Sequence, residues 1–166
     1  GSTTYTVTVT SVNGCTATAS TTITVNPLPA AAISVAETSG TTNDDGIICA
    51  GATVVLTASG GGTYAWSTGA TTPAISVTPG GTTTYTVTVT SISGCTATAS
   101  TTITVNPIPT AGITVSETSG TTPNDGIICS GSTVTLTGTG GGTYAWSTGA
   151  TTTSITVNPA ITTLYS

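Results

Sequence analysis

The reactive side chains of this sequence are five carboxylates and four thiols. The carboxylates are clustered. Glu37, Asp44 and Asp45 lie in the stretch Glu37-Thr38-Ser39-Gly40-Thr41-Thr42-Asn43-Asp44-Asp45-Gly46, and Glu117 and Asp125 lie in its copy, Glu117 to Gly126. Oxygen ligands gathered in a loop are what a calcium ion takes, so these residues offer a calcium site at a module end, the one cofactor the sequence suggests. The competing reading is a solvated turn, because Asn-Asp-Gly suits left-handed backbone and Asx turns with no ion present. The copy reads Pro123-Asn124-Asp125, one acid fewer, which weakens the ion reading. Two carboxylates could also flank a glycosidic bond, but no other catalytic or sugar-binding group is near them in sequence.

The thiols are Cys15, Cys49, Cys95 and Cys129. None falls in a CxxC pair, and no His is available to share a metal, so zinc is not expected. An even number of cysteines in a Thr-rich, β-rich chain reads as disulfides in an oxidising, extracellular setting. Nucleophilic catalysis fails on inventory, since neither His nor Lys is present to act as base. The chain is therefore not expected to be an enzyme. The absence of Lys and Arg also argues against nucleic acid as a partner, because phosphate contacts need cations. It argues against an anionic membrane surface for the same reason. No apolar run approaches the length of a membrane span. Trypsin should find no site in the chain, folded or unfolded.

The elements that position these groups repeat. Residues 1–26 match residues 81–106 at 23 of 26 positions, and residues 27–86 match 107–166 at 40 of 60, so an 80-residue unit runs in tandem. The segment Gly60-Gly61-Gly62-Thr63-Tyr64-Ala65-Trp66-Ser67-Thr68-Gly69-Ala70-Thr71-Thr72 returns unchanged at Gly140 to Thr152 and holds the two tryptophans, Trp66 and Trp146. Paired prolines in Asn26-Pro27-Leu28-Pro29 and Asn106-Pro107-Ile108-Pro109 mark the joints. This phase gives the last two strands of one module (1–26), a complete module (27–106) and the first part of a third (107–166). With no initiator Met and no signal peptide, the chain reads as a piece of a longer or processed protein.

Thr is the commonest residue, 48 of 166, and Val and Ile far outnumber Leu, which favours strands over helices. Thr83 to Thr90 alternates most cleanly, with Tyr85, Val87 and Val89 inward and Thr outward. Similar parity puts Ile33 with Val35, Val54 with Leu56 and Ala58, Ile75 with Val77, and Ala97 with Ala99, Ile103 and Val105. Val55 faces outward. Trp66 and Trp146, with Leu56, Leu136 and Tyr85, are the expected core. Tyr64 and Trp66 share a strand face, so a sugar-stacking platform competes with the core reading for that pair. Six or seven short strands per module, with turns every 8–12 residues, predict an all-β fold of tandem Ig-like β-sandwich modules. The outward Thr rows are good uncharged strand residues. They could also carry O-glycans or present a flat ice-binding array, although sandwich sheets twist and no Asn-x-Ser/Thr sequon is present. Glycosylation is not specified by any motif.

Two disulfide schemes fit this repeat. Cys49 with Cys95 would close each module over a 46-residue separation, worth roughly 4 kcal/mol of loop entropy. Cys15 and Cys129 would then pair with equivalent cysteines in adjacent modules. This is the expected scheme, though it requires the early strands to depart from standard Ig order. Cys15 with Cys49 and Cys95 with Cys129 is the alternative, and it staples neighbouring modules.

The ordered set Ile48-Cys49-Ala50-Gly51, Thr63-Tyr64-Ala65-Trp66-Ser67-Thr68-Gly69, Thr83-Thr84-Tyr85-Thr86-Val87-Thr88-Val89-Thr90 and Gly94-Cys95-Thr96 resembles the Ig-like/PKD-like tandem repeats of secreted Bacteroidota surface proteins, of the adhesin and gliding-associated type. The resemblance implies an extracellular or cell-surface array element with a structural or adhesive role and no catalytic residues. The expected function is a structural repeat of an extracellular filament or adhesin stalk, with copies of itself or adjacent repeats as head-to-tail partners. The second reading is a carbohydrate-binding module of a secreted enzyme, with glycans as partners. On the first, Tyr5, Val7 and Val9 of one copy should pack against Trp146 and Leu136 of its neighbour.

Overall fold

The structure, a computed structural model, describes residues 1–166. It is all β, with no helix. Alternating Thr with Val, Ile or Tyr gives these strands one apolar and one polar face. Glycines supply the tight connections: Gly60, Gly61 and Gly62 all have positive φ, the left-handed region open to glycine. The chain divides into two compact units, Gly1–Pro107 and Ile108–Ser166.

In the first unit, β1 (Ser2–Thr10) and β2 (Thr16–Thr24) form an antiparallel hairpin in which Tyr5 stands opposite Thr21 and Val7 opposite Ala19. Seven strands follow: β3 (Ala32–Ala36), β4 (Ile47–Cys49), β5 (Val54–Ser59), β6 (Thr63–Trp66), β7 (Ala74–Val77), β8 (Thr83–Thr90) and β9 (Thr96–Asn106). They make two sheets, ordered β3-β5-β7 and β4-β9-β8-β6. All pairs are antiparallel except β4 with β9, which run parallel.

Both sheets supply one core in a sandwich-like packing. Val54, Leu56 and Ala58 come from the first sheet, and Ile48, Trp66, Tyr85, Val87, Val89 and Ile103 from the second. Val55, between two buried neighbours on β5, is exposed. Trp66 is the largest plug, and its Nε1–H donates to the Thr72 carbonyl at 2.9 Å, so the indole is buried with its one polar atom satisfied. The strand β4 is too short to show alternation, yet its Ile48 is fully buried.

The second unit holds β10 (Gly112–Ser116), β11 (Val134–Thr139) and β12 (Ser154–Val157), ordered β10-β11-β12. These are the repeats of β3, β5 and β7. Val134, Leu136, Trp146 and Ile155 form its core. The Trp146 Nε1–H donates to the Thr152 carbonyl at 2.8 Å.

The structure corrects the Cys49–Cys95 disulfide. All four cysteines are free thiols. In the parallel pair Cys49 is level with Asn106, the last residue of β9, while Cys95 precedes its first residue, Thr96. A strand rise of about 3.3 Å per residue puts them roughly 35 Å apart along β9, and a disulfide needs Cα atoms within about 7 Å. The bond cannot close within this module, because β4 joins the distal end of β9.

Candidate functional site

The acidic loop is built around a buried carboxylate. Glu37 follows β3 and is buried, as is Glu117 after β10. The Glu37 carboxylate accepts the Ser39 N–H on Oε2 at 2.9 Å and the Asp45 N–H on Oε1 at 3.2 Å. Asp44 sits at φ 62° and its Oδ1 accepts the Glu37 N–H at 2.9 Å. Asp and Asn tolerate this left-handed backbone better than other non-glycine residues. Asn124 does the same in the copy, at φ 63°, accepting the Glu117 N–H at 3.1 Å. Asp45 and Asp125 each accept the N–H two residues on, from Ile47 and Ile127, at 2.8 Å. These carboxylates are thus engaged by backbone donors of their own loop, and no three His, Cys, Asp or Glu side chains gather around an ion-sized site. The arrangement fixes the loop that delivers β4 to the edge of β9.

Two apolar surfaces have no cover. The first is the hairpin β1–β2, every residue of which is exposed. Tyr5 is 62% exposed, Val7 58% and Val9 63%, with Ile23 at 51%. Their repeats Tyr85, Val87, Val89 and Ile103 are buried in the complete module, the last three at 0%. The same sequence therefore makes core in one place and bare surface in the other. A two-stranded hairpin is marginal in water by itself.

The second surface lies in residues 108–166. Here the sheet β10-β11-β12 has no partner sheet. A cavity of about 630 Å³, lined by Ile113, Val115, Ile128, Leu136, Pro159 and Tyr165 among others, opens onto its inner face. A second of about 580 Å³ lies against Tyr144 and Trp146. The segments Ile127–Cys129 and Thr143–Trp146, repeats of β4 and β6, are not strands here. Their counterparts pair with β9 and β8. Tyr165 is half-buried against the core where the repeat of β8 begins, and the Ser166 carbonyl accepts the Ser147 N–H.

Two buried polar atoms of the second loop copy are unmet as well. Buried Glu117 Oε2 and Ser119 Oγ have no hydrogen-bond partner. In the complete module Ser39 Oγ accepts the Cys49 N–H at 3.3 Å, because β4 is held against β9. Sequence reading finds the hairpin and its apolar parity. It misses β4 and the buried state of Glu37, for which the only signal is Ile-Ile between a glycine turn and Cys49. Trp66, Trp146, Tyr85, Leu56 and Leu136 are all buried. Tyr64 is half-buried beside Trp66. Compared with known proteins, the chain matches no family model and no curated protein.

Proposed function

We propose that this chain is a structural repeat of an extracellular filament or adhesin stalk, built of tandem Ig-like modules assembled head to tail. The open unit 108–166 is completed by strand donation: strands with the sequence of β8 and β9, which the hairpin β1–β2 repeats, come from an adjacent repeat or from another copy and carry on from Thr162–Ser166, where the repeat of β8 begins. One observation carries this reading: the exposed face of Tyr5, Val7, Val9 and Ile23 has the same sequence as the buried face of Tyr85, Val87, Val89 and Ile103, and residues 108–166 have cavities where such a face would pack. Each aliphatic side chain so buried contributes about 1.5–3 kcal/mol. A heterologous contact of this kind does not close on itself, and repetition makes a linear array.

The Ig-like assignment is supported by strand order. With β5 and β7 as strands B and E, and β6, β8 and β9 as C, F and G, the sheets match the immunoglobulin division. Trp66 on strand C and Tyr85 near the start of strand F occupy the positions of the hallmark core tryptophan and corner tyrosine. An extracellular location is supported by the even number of cysteines in a Thr-rich, β-rich chain and by the resemblance to secreted surface repeats.

The test is assembly of the full chain. Electron microscopy and sedimentation at rising concentration should give linear polymers. The triple variant Tyr5→Thr, Val7→Thr, Val9→Thr keeps strand propensity while removing the apolar face, and should remain monomeric with an unchanged melting temperature for residues 27–106. Polymers formed equally well by the variant would refute strand donation.

A further inference from the structure

We infer that the acidic loop is a latch, which closes on the segment Ile127–Cys129 when a strand of the β9 sequence pairs beside that segment. The inference rests on the strand completion proposed above. The two copies of the loop show its closed and open states. Half of the loop's contacts are the same in both. Asp44 and Asn124 sit at φ 62° and 63° and accept the N–H of Glu37 and Glu117. The N–H of Asp45 and that of Asp125 reach Oε1 of the buried glutamate at 3.2 and 3.1 Å. Gly40 and Gly120 pass so close to the carbonyls of Ile47 and Ile127 that a Cβ would overlap them. This frame is unchanged by Pro123 and Asn124 in place of Asn43 and Asp44.

The other half is made in the complete module alone. There Glu37 Oε2 accepts the Ser39 N–H at 2.9 Å, and Ser39 Oγ accepts the Cys49 N–H at 3.3 Å. Their counterparts, Glu117 Oε2 and Ser119 Oγ, are buried with no partner. What separates the two states is β9. Its Thr104 N–H donates to the Gly46 carbonyl, and its Asn106 carbonyl accepts the Ala50 N–H, both at 2.8 Å. These bonds bracket Ile47–Cys49 and use one edge of it. Alternate residues of a strand bond to one neighbour, so the Cys49 N–H is left on the other edge, where Ser39 takes it.

Pairing also draws the segment inward. Ile48 is fully buried and Gly46 is buried, whereas Ile128 is half-buried and Gly126 exposed. A strand arriving beside Ile127–Cys129 therefore presses this backbone toward Ser119 and gives its hydroxyl a donor. The Ser119 N–H then turns onto Glu117 Oε2, as that of Ser39 does onto Glu37. A buried oxygen without a partner is costly, so meeting two of them favours the paired state. The loop thus biases the open unit toward accepting its last strand, and it does so through backbone donors rather than through side chains of that strand.

The experiment compares the full chain, kept dilute in reductant, with the same chain carrying a second copy of Val87–Asn106 after Ser166, the stretch that follows Thr86 in the complete module. Amide exchange is read at two neighbouring residues. Ser130, the counterpart of Ala50, reports strand pairing, and Cys129, the counterpart of Cys49, reports the latch. Both should slow by about tenfold or more in the extended chain. In that chain Ser119→Ala should return Cys129 to its unextended rate while Ser130 stays protected, and Ser119→Thr, which keeps the hydroxyl, should preserve both. Protection of Ser130 with Cys129 still exchanging at the unextended rate would overturn the latch and leave strand completion standing. Protection of Cys129 in the unextended chain carrying Pro123→Asn and Asn124→Asp would overturn it as well, by assigning the difference to the loop's own sequence. Exchange unchanged by the extension at both residues would refute strand completion, and the latch with it.

Discussion

Residues 27–86 and 107–166 are copies of one sequence in different company. Gly60 to Thr72 and Gly140 to Thr152 are identical, yet Thr63–Trp66 is a strand and Thr143–Trp146 is not. The difference is β8, against which Thr63–Trp66 pairs. Ile47–Cys49 and Ile127–Cys129 differ in the same way through β9. Even so, Trp66 and Trp146 are both buried and both donate Nε1–H to the Thr six residues on. A local hydrogen bond survives the loss of a sheet, while strand identity, which depends on partners, does not.

This contrast can be strained from both sides. The largest effect should come from the core. Leu56 is fully buried, so Leu56→Ala should destabilise the first unit by about 2–5 kcal/mol in denaturant unfolding. Leu136 borders an open cavity, and Leu136→Ala should cost clearly less in dilute monomer. Equal costs would mean that the open unit packs as well as the closed one.

Next comes the buried carboxylate. Glu37→Gln sets an amide NH₂ against one of the two backbone donors, from Ser39 and Asp45, and should cost roughly 1–3 kcal/mol. Glu117 Oε2 has no partner to lose, so Glu117→Gln should cost under about 1 kcal/mol. Chemical denaturation of the two variants would show the gap, and its absence would break the claim that the Ser39 contact matters.

Smaller still, Trp66→Phe and Trp146→Phe should each lose about 1 kcal/mol, close to the worth of one neutral hydrogen bond. Similar values are expected in the two units, since this bond is local to the repeated segment. The smallest effect concerns ions. A chelator should leave the melting temperature within about 1 °C, because the loop carboxylates are held by backbone N–H groups. A calcium-dependent rise would show that the loop opens to take an ion.

Strand parity was readable because the side-chain period of two is written into Thr-Val alternation. Val54, Leu56, Val87 and Val89 are fully buried, and Val55 faces out. What the sequence hid depends on non-local pairing. Ile47–Cys49 is three residues long, too short for a pattern, and only the parallel edge of β9 makes it a strand. That pairing decides where Cys49 lies, so the Cys49–Cys95 expectation failed with it. Nor does a Glu in a polar loop announce burial. Its neighbours Ser39 and Asp45 contribute backbone N–H groups rather than side chains, which leaves no mark in residue type.

The central claim, that a donated hairpin turns the second region into a copy of the first, is tested most directly by amide exchange on the full chain, dilute and assembled. Ile127–Cys129 and Thr143–Trp146 should exchange fast in dilute monomer and become protected on assembly, together with the outward amides of β1 and β2. Polymers in which those two segments still exchange at monomer rates would contradict it.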